Sequence, residues 1–164
     1  MIDITHLMKY NQYLRHAYFD ALKVLPWDEF VKDKDASFGS LRNIFLHCIA
    51  VFDFANRLIQ EGENTFTRIN YEDYNTVEKI QQYMESVESK LNIYLSRITA
   101  DELTRKITRK YRSGATTTST VEDYLFHFFQ EETHHRGEFI ALLWQMNVTP
   151  PHVGWIQYIH QQTG

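Results

Sequence analysis

The chain contains a single cysteine, Cys48, and this scarcity narrows the classes of protein to which it can belong. One cysteine excludes an intrachain disulfide and a zinc site built from several thiolates, so the chain suits a reducing compartment. No apolar run is long enough to span a membrane, and the first residues, MIDITHLMKYN, lack a secretory signal pattern. These absences predict a soluble, cytoplasmic protein without a membrane partner.

Basic residues are not concentrated in any arm or stripe. The 17 lysines and arginines are mixed with 21 aspartates and glutamates, and the formal net charge is -4. Proteins that bind nucleic acid usually carry a clustered basic surface, so we expect no nucleic-acid partner. The length of 164 residues and the 43% hydrophobic content predict one packed globular domain over residues 1–164.

Helical periodicity dominates the chain and predicts an all-α protein. Four long helices are expected, at about residues 4–24, 40–61, 76–98 and 119–147. Before the last of them, a threonine-rich stretch around Gly114 predicts a short irregular hairpin, and the pattern S-x-x-E at Ser119–Glu122 predicts a capping box. Long second and third connections favour a four-helix bundle with crossover connections. The apolar tail around Trp155 is expected to pack on the bundle or on a partner.

The fourth predicted helix places polar residues among core positions, in the segment HFFQEETHHRGEF. At about 100° per residue, Glu131 and His135 share the apolar stripe with Phe128 and Phe139, whereas Glu132 falls near its edge. A carboxylate and an imidazole on a core face cost several kcal/mol of desolvation unless something pairs with them. The two side chains therefore need a structural or a chemical explanation.

Three interpretations of the Glu131–His135 pair remain open. The two side chains satisfy each other by a hydrogen bond one helical turn apart, they are the acid and base of a metal-free enzyme, or they are two ligands of a metal. The last interpretation suits the i,i+4 spacing, because both side chains then point to one place. It requires a third ligand, for which His47, halfway along the second helix, is the best candidate.

Two other metal motifs fit the chain poorly. The zinc-protease pattern H-E-x-x-H does not occur. The pattern E-x-x-H occurs at Glu131–His134 and Glu132–His135, but a di-iron centre needs a second copy on another helix, and the chain has none.

Longer segments carry a family resemblance. They are SFGSLRNIFLHCIAVFDFANRLI, with one late histidine, then TVEDYLFHFFQEETHHRGEFIALL and a closing PP, preceded by a first helix reading MKYNQYLRHAYFDAL. In this order they resemble the DinB/YfiT-like family of metal-binding four-helix bundles, over nearly the whole chain. HHRGEF is the most specific part of the resemblance.

The resemblance implies one divalent metal ion. The family generally binds it through three histidines, one from the second helix and two spaced i,i+4 on the fourth. Carried over, His47 is the first ligand, His135 is the last, and the middle position holds Glu131 instead of histidine. The implied site therefore has two imidazoles and one carboxylate, which leaves zinc or nickel possible and makes manganese or iron more competitive.

Family members with known activities include thiol-dependent transferases, in which the metal ionises a low-molecular-weight thiol. The resemblance thus implies a metal-dependent S-transferase with a thiol cosubstrate, a small-molecule substrate and a homodimeric assembly. Two alternatives stay open: a metal-dependent hydrolase, and a non-catalytic stress- or damage-response binding bundle with a degenerate metal site. Tyr10, Asn11, His127 and His134 are weaker candidates for lining the pocket.

Overall fold

A computed structural model describes residues 3–111 and 113–163 of the chain. Helices and strands follow one another as α1 (Ile4–Leu22), α2 (Trp27–Val31), α3 (Leu41–Glu61), α4 (Val77–Leu95), α5 (Ala100–Thr104), β1 (Lys106–Lys110), β2 (Thr116–Thr120), α6 (Val121–Gln145) and α7 (Trp155–Thr163), with a 3₁₀ turn at Tyr71–Asp73. The four long helices α1, α3, α4 and α6 confirm the predicted all-α class. The short helices α2, α5 and α7 were not predicted.

The predicted hairpin forms as β1 and β2. The strands are antiparallel, and the ladder runs without interruption from Lys106 opposite Thr120 to Lys110 opposite Thr116. Gly114 has a φ of +85°, a left-handed conformation that glycine adopts without a steric penalty, and it lies in the turn between the strands. The hairpin is therefore regular where the sequence predicted an irregular one.

The chain forms two compact units, and the boundaries between the units fall within the helices α3 and α6. The first unit takes in the described residues up to Ile44 and those from Glu132 onward, and the second is Phe45–Glu131. Large apolar side chains are buried in each. Those of the first unit include Met8, Leu14, Tyr18, Phe19, Leu22, Phe30 and Phe139, and those of the second include Phe45, Ile49, Phe52, Phe54, Ile80, Met84 and Phe128.

Within the first unit, the apolar tail packs on α1 and contains the helix α7. The ring of Trp155 meets the ring of Tyr10 edge-on, with 5.1 Å between centroids, and Tyr158 lies 5.2 Å from Tyr10. The Tyr10 hydroxyl also donates a hydrogen bond to the carbonyl oxygen of Val153, at 3.0 Å. Aromatic burial and this hydrogen bond hold the tail, as the sequence predicted.

The capping box at the start of α6 lies one residue later in the sequence than predicted. The Thr120 backbone N–H donates to Asp123 Oδ2 at 2.9 Å, and the Asp123 N–H donates to Thr120 Oγ1 at 3.1 Å, so the box is Thr120–Asp123. Ser119 instead pairs with Ile107 in the β ladder. The prediction of Ser119–Glu122 was wrong because the strand extends further than the threonine-rich sequence indicated.

The cap assignment can be tested by alanine substitution. Thr120→Ala should lower the free energy of unfolding by about 1 kcal/mol, because an N–H at the start of α6 loses its acceptor. Ser119→Ala is the matched control and should change it by less than about 0.5 kcal/mol. Urea denaturation followed by circular dichroism measures both. A larger loss for Ser119→Ala than for Thr120→Ala contradicts the assignment.

None of the helices in the described ranges combines the length and the low polarity that crossing a membrane requires.

Candidate metal site

Three side chains with metal-binding atoms come together: His47 of α3, and Glu131 and His135 of α6. Each offers one ligand atom, and these atoms all lie within 4.8 Å of one another. His135 is buried, while His47 and Glu131 are half-buried. These are the three residues that the sequence singled out, and the group that they form could hold a metal ion. That they do bind one stays a prediction.

The donor set fits a divalent ion. Two imidazole nitrogens and one carboxylate oxygen are accepted by zinc, manganese and iron alike. When two ligand atoms each lie about 2.1 Å from one metal ion, they are roughly 3–4 Å from each other. The ligand atoms of this cluster lie within 4.8 Å of one another, so small side-chain rotations would bring them onto one ion. Glu131 and His135 contribute from one face of α6 because they are one helical turn apart.

A neighbouring carboxylate fixes the ring of His135. Its Nδ1 lies 2.5 Å from Oε2 of Glu138. The same Oε2 accepts a hydrogen bond from the hydroxyl of Ser37 at 2.9 Å, and Oε1 of Glu138 accepts one from the backbone N–H of Ser37 at 3.3 Å. Phe38 lies edge-on to the same ring, at 5.4 Å between centroids. Metal-binding histidines commonly donate their second N–H to a carboxylate, so we infer that His135 would meet an ion through Nε2.

Hydrogen bonds favour the ionised form of the Glu138 carboxyl group. Burial opposes ionisation, but the hydrogen bonds from His135 and Ser37 outweigh it, and the pKa of Glu138 lies below its ordinary value. An anionic Glu138 accepts a hydrogen bond from the Nδ1–H of His135 and keeps the imidazole ring in one orientation. The sequence interpretation missed Glu138, although its position three residues after His135 was a usable signal.

His47 has an aromatic neighbour from the loop after α3. The ring of Phe66 lies 6.4 Å from the ring of His47 and 5.5 Å from the ring of Phe54, edge-on to both. This loop is polar in sequence, yet it places an apolar ring beside one of the candidate ligands. Apolar surroundings limit the access of water to a metal ligand.

Next to Glu131 on α6, Glu132 anchors a buried polar network in the first unit. Only 3% of Glu132 is exposed, and it accepts hydrogen bonds from Arg15 Nε at 2.9 Å, from Arg15 Nη2 at 2.5 Å and from Asn11 Nδ2 at 2.5 Å. Arg136 Nη1 donates in turn to Asn11 Oδ1 at 2.6 Å. The network consists of the Arg15–Glu132 ion pair, the amide of Asn11 and the guanidinium of Arg136. Each of these hydrogen bonds has at least one charged partner.

The placement of Glu132 corrects the helical count from the sequence. The buried positions of α6 include 125, 128, 132, 135, 139 and 142, which follow one another at alternating intervals of three and four residues. Such a repeat averages 3.5 residues, as in packed helix bundles, whereas the count at 100° per residue assumes 3.6. With the shorter repeat, Glu132 belongs to the row of buried positions, and Glu131 lies beside that row.

The weaker candidates for a pocket lie in different surroundings. Asn11 is fully buried in the network of Glu132, and Tyr10 packs against the tail. His127 and His134 are exposed on α6 and do not belong to the cluster of candidate ligands. Among these four residues, the structure thus gives only Asn11 a buried polar role.

Comparison with solved structures supports the fold. A DinB-like protein from Bacillus subtilis has a TM-score of 0.64 at 17% identity, with 89% of this chain and 95% of that chain covered. A DinB-like protein from Bacillus cereus ATCC 10987 has a TM-score of 0.62 at 18% identity, with 91% and 96% covered. A conserved protein from Enterococcus faecalis has a TM-score of 0.61 at 12% identity, with 86% and 95% covered. These identities show a shared fold and nothing more specific.

Sequence comparison establishes the family. A search of curated proteins finds no match. The family model described as the DinB family, however, matches residues 1–164. The match agrees with the resemblance of the helix segments and with the fold of the neighbouring structures. This chain belongs to the DinB family.

Proposed function

We propose that the protein is a divalent-metal-dependent S-transferase that uses a low-molecular-weight thiol to attack a small electrophilic substrate. The proposal is carried by the cluster of His47, Glu131 and His135, whose ligand atoms lie within 4.8 Å of one another. Three protein ligands leave coordination positions open, which is typical of catalytic rather than structural sites. A divalent ion bound there would lower the pKa of a coordinated thiol, and the thiolate is the reactive nucleophile.

The residues around the cluster are suited to hold such a site. Glu138 fixes the orientation of His135, and Ser37 holds Glu138 in place. Phe38 and Phe66 each place an apolar ring edge-on beside one of the two imidazole rings. The carboxylate of Glu131 adds a negative charge that two imidazoles lack, which favours retention of a divalent cation.

Two successive measurements, of metal content and then of thiol consumption, test the proposal. Protein purified without a histidine tag should contain about one divalent ion per chain after loading with zinc, manganese, iron or nickel. Loaded protein should then consume thiol in the presence of an electrophile, and metal-free protein should not. His47→Ala should abolish both results, whereas His134→Ala, an exposed histidine on α6, should abolish neither.

The same experiment separates the other candidate functions. Absence of metal binding in every preparation contradicts a metal enzyme and leaves a binding bundle. Metal binding without thiol-dependent turnover contradicts the transferase and favours a hydrolase or a non-catalytic role. A homodimer, which the family resemblance implies, stays a prediction that light scattering of the untagged protein can check.

Glu138 provides a prediction about metal affinity. Glu138→Ala should weaken binding by about 10–100-fold, because His135 loses the carboxylate that orients its ring. Glu138→Gln keeps an acceptor oxygen and should lose less. Competition with a metal-sensitive dye measures the dissociation constants. An affinity of Glu138→Ala within about twofold of the unmodified protein contradicts a positioning role for this residue.

A further inference from the structure

A cleft of about 600 Å³ opens in the second unit, between the loop after α3 and the strand β1. Asn64, Phe66 and Arg68 line it from the loop, and Arg109, Lys110 and Tyr111 line it from the strand and the residue that follows. Ligand sites for small molecules commonly have volumes of about 300–1,000 Å³. The cleft is thus large enough for a small molecule with a ring.

The charges around the cleft have one sign. Arg68, Arg109 and Lys110 are cationic, and none of the described residues that line the cleft is acidic. The chain as a whole carries a net charge of -4, so this grouping is not a consequence of composition. Like charges gathered in a concave surface attract oppositely charged ligands.

Arg109 is held in place and has an unused donor. Its guanidinium carbon lies 5.0 Å from the ring centroid of Phe54 and 4.8 Å from that of Tyr111. Its Nε is buried and finds no hydrogen-bond partner within the described ranges. Ring contacts on a guanidinium fix its orientation, so its planar donors are preorganised for an oxyanion.

We propose that this cleft binds a small molecule that carries a carboxylate or a phosphate on a flat apolar group. Arg109 takes the oxyanion through its planar donors, Arg68 and Lys110 add charge, and the rings of Phe66 and Tyr111 pack against the apolar part. This binding site goes beyond the proposed transferase function. It does not require a metal, so its test and the metal test can fail separately.

Three probes of one shape test the proposal. Benzoate carries the carboxylate, phenyl phosphate carries the phosphate, and benzamide is the uncharged control of similar size. Titration of metal-free protein at low salt, after the chelator has been dialysed away, should show at least one anion binding about tenfold or more tightly than benzamide, since hydrogen bonds to charged groups are the stronger ones. The tighter of the two anions identifies the chemical source of the oxyanion.

Substitutions locate the site. Arg109→Gln should weaken binding of the preferred anion by about tenfold or more, and Arg68→Gln should weaken it by a smaller factor. Lys106→Gln removes the same charge from the same strand but does not line the cleft, so it should leave the affinity unchanged. If Arg109→Gln does not fold by circular dichroism, Arg68→Gln, an exposed position, supplies the test. The proposal is overturned if neither anion binds more tightly than benzamide, or if the variants that fold bind the anion as the unmodified protein does.

Discussion

Replacing Glu132 with alanine should lower the free energy of unfolding of the metal-free protein by about 3–5 kcal/mol. The substitution removes the carboxylate that accepts two hydrogen bonds from Arg15 and one from Asn11. Only 1% of the Arg15 side chain is exposed, so its guanidinium cannot turn to water when this carboxylate is lost. We expect a melting temperature about 6–20 °C lower, measured by circular dichroism.

A double-mutant cycle separates the ion pair from general damage to the core. Arg15→Ala and Glu132→Ala should each be strongly destabilising, and the double variant should cost clearly less than their sum, because neither charge then remains buried alone. Additive losses would mean that the two side chains do not stabilise each other. Glu131→Ala is the matched control, since it removes a carboxylate one position away, and without metal it should cost less than about 1 kcal/mol.

The sequence predicted the fold class because the period of apolar residues determines it. The stripes of α1, α3, α4 and α6 are long and regular, and their helices lie close to the expected ranges. The pairing of Glu131 with His135 could also be predicted, since a spacing of four residues within one helix fixes their relative positions. Local regularity was therefore sufficient for the helices and for two of the three candidate ligands.

Contacts between distant parts of the chain could not be predicted in the same way. Glu138 lies 101 positions from Ser37, and Glu132 lies 117 positions from Arg15. Whether a carboxylate on α6 is buried depends on which side chain faces it, and periodicity alone carries no information about that partner. The family resemblance supplied His47 as the third ligand, which the spacing on α6 could only leave as a candidate.

The cationic cleft is a second feature that depends on contacts between distant parts of the chain. The chain has 21 acidic and 17 basic residues, and their mixture predicted no basic surface, although residues 104–112 (TRKITRKYR) contain no acidic residue. Folding places Arg68 in the lining of the same cleft as Arg109 and Lys110, although about forty positions separate them in sequence. The fold therefore adds Arg68 to a basic segment of the sequence, and the net charge of the chain does not describe the local concentration of charge that results.

Glu131→Ala should remove most of the stabilisation by metal while leaving the metal-free protein folded. With a divalent ion at about one hundred times its dissociation constant, binding to the folded state adds about 2.7 kcal/mol, or about 5–11 °C in melting temperature. The variant retains the two imidazoles of the cluster but loses its only carboxylate, so its shift should fall to a small fraction of this. Thermal unfolding with and without zinc, manganese, iron or nickel measures the difference. An undiminished shift would show that Glu131 is not a ligand.

Glu131→His gives the complementary result, because it restores the three-histidine set that the family generally uses. Zinc and nickel accept imidazole readily, so their stabilisation should be kept or increased in this variant. Manganese prefers oxygen ligands, so its stabilisation should decrease when the carboxylate is replaced. The ratio of the zinc shift to the manganese shift should thus rise from the unmodified protein to Glu131→His. An unchanged ratio would mean that the carboxylate at this position does not set the preference among metals, even if it contributes to affinity.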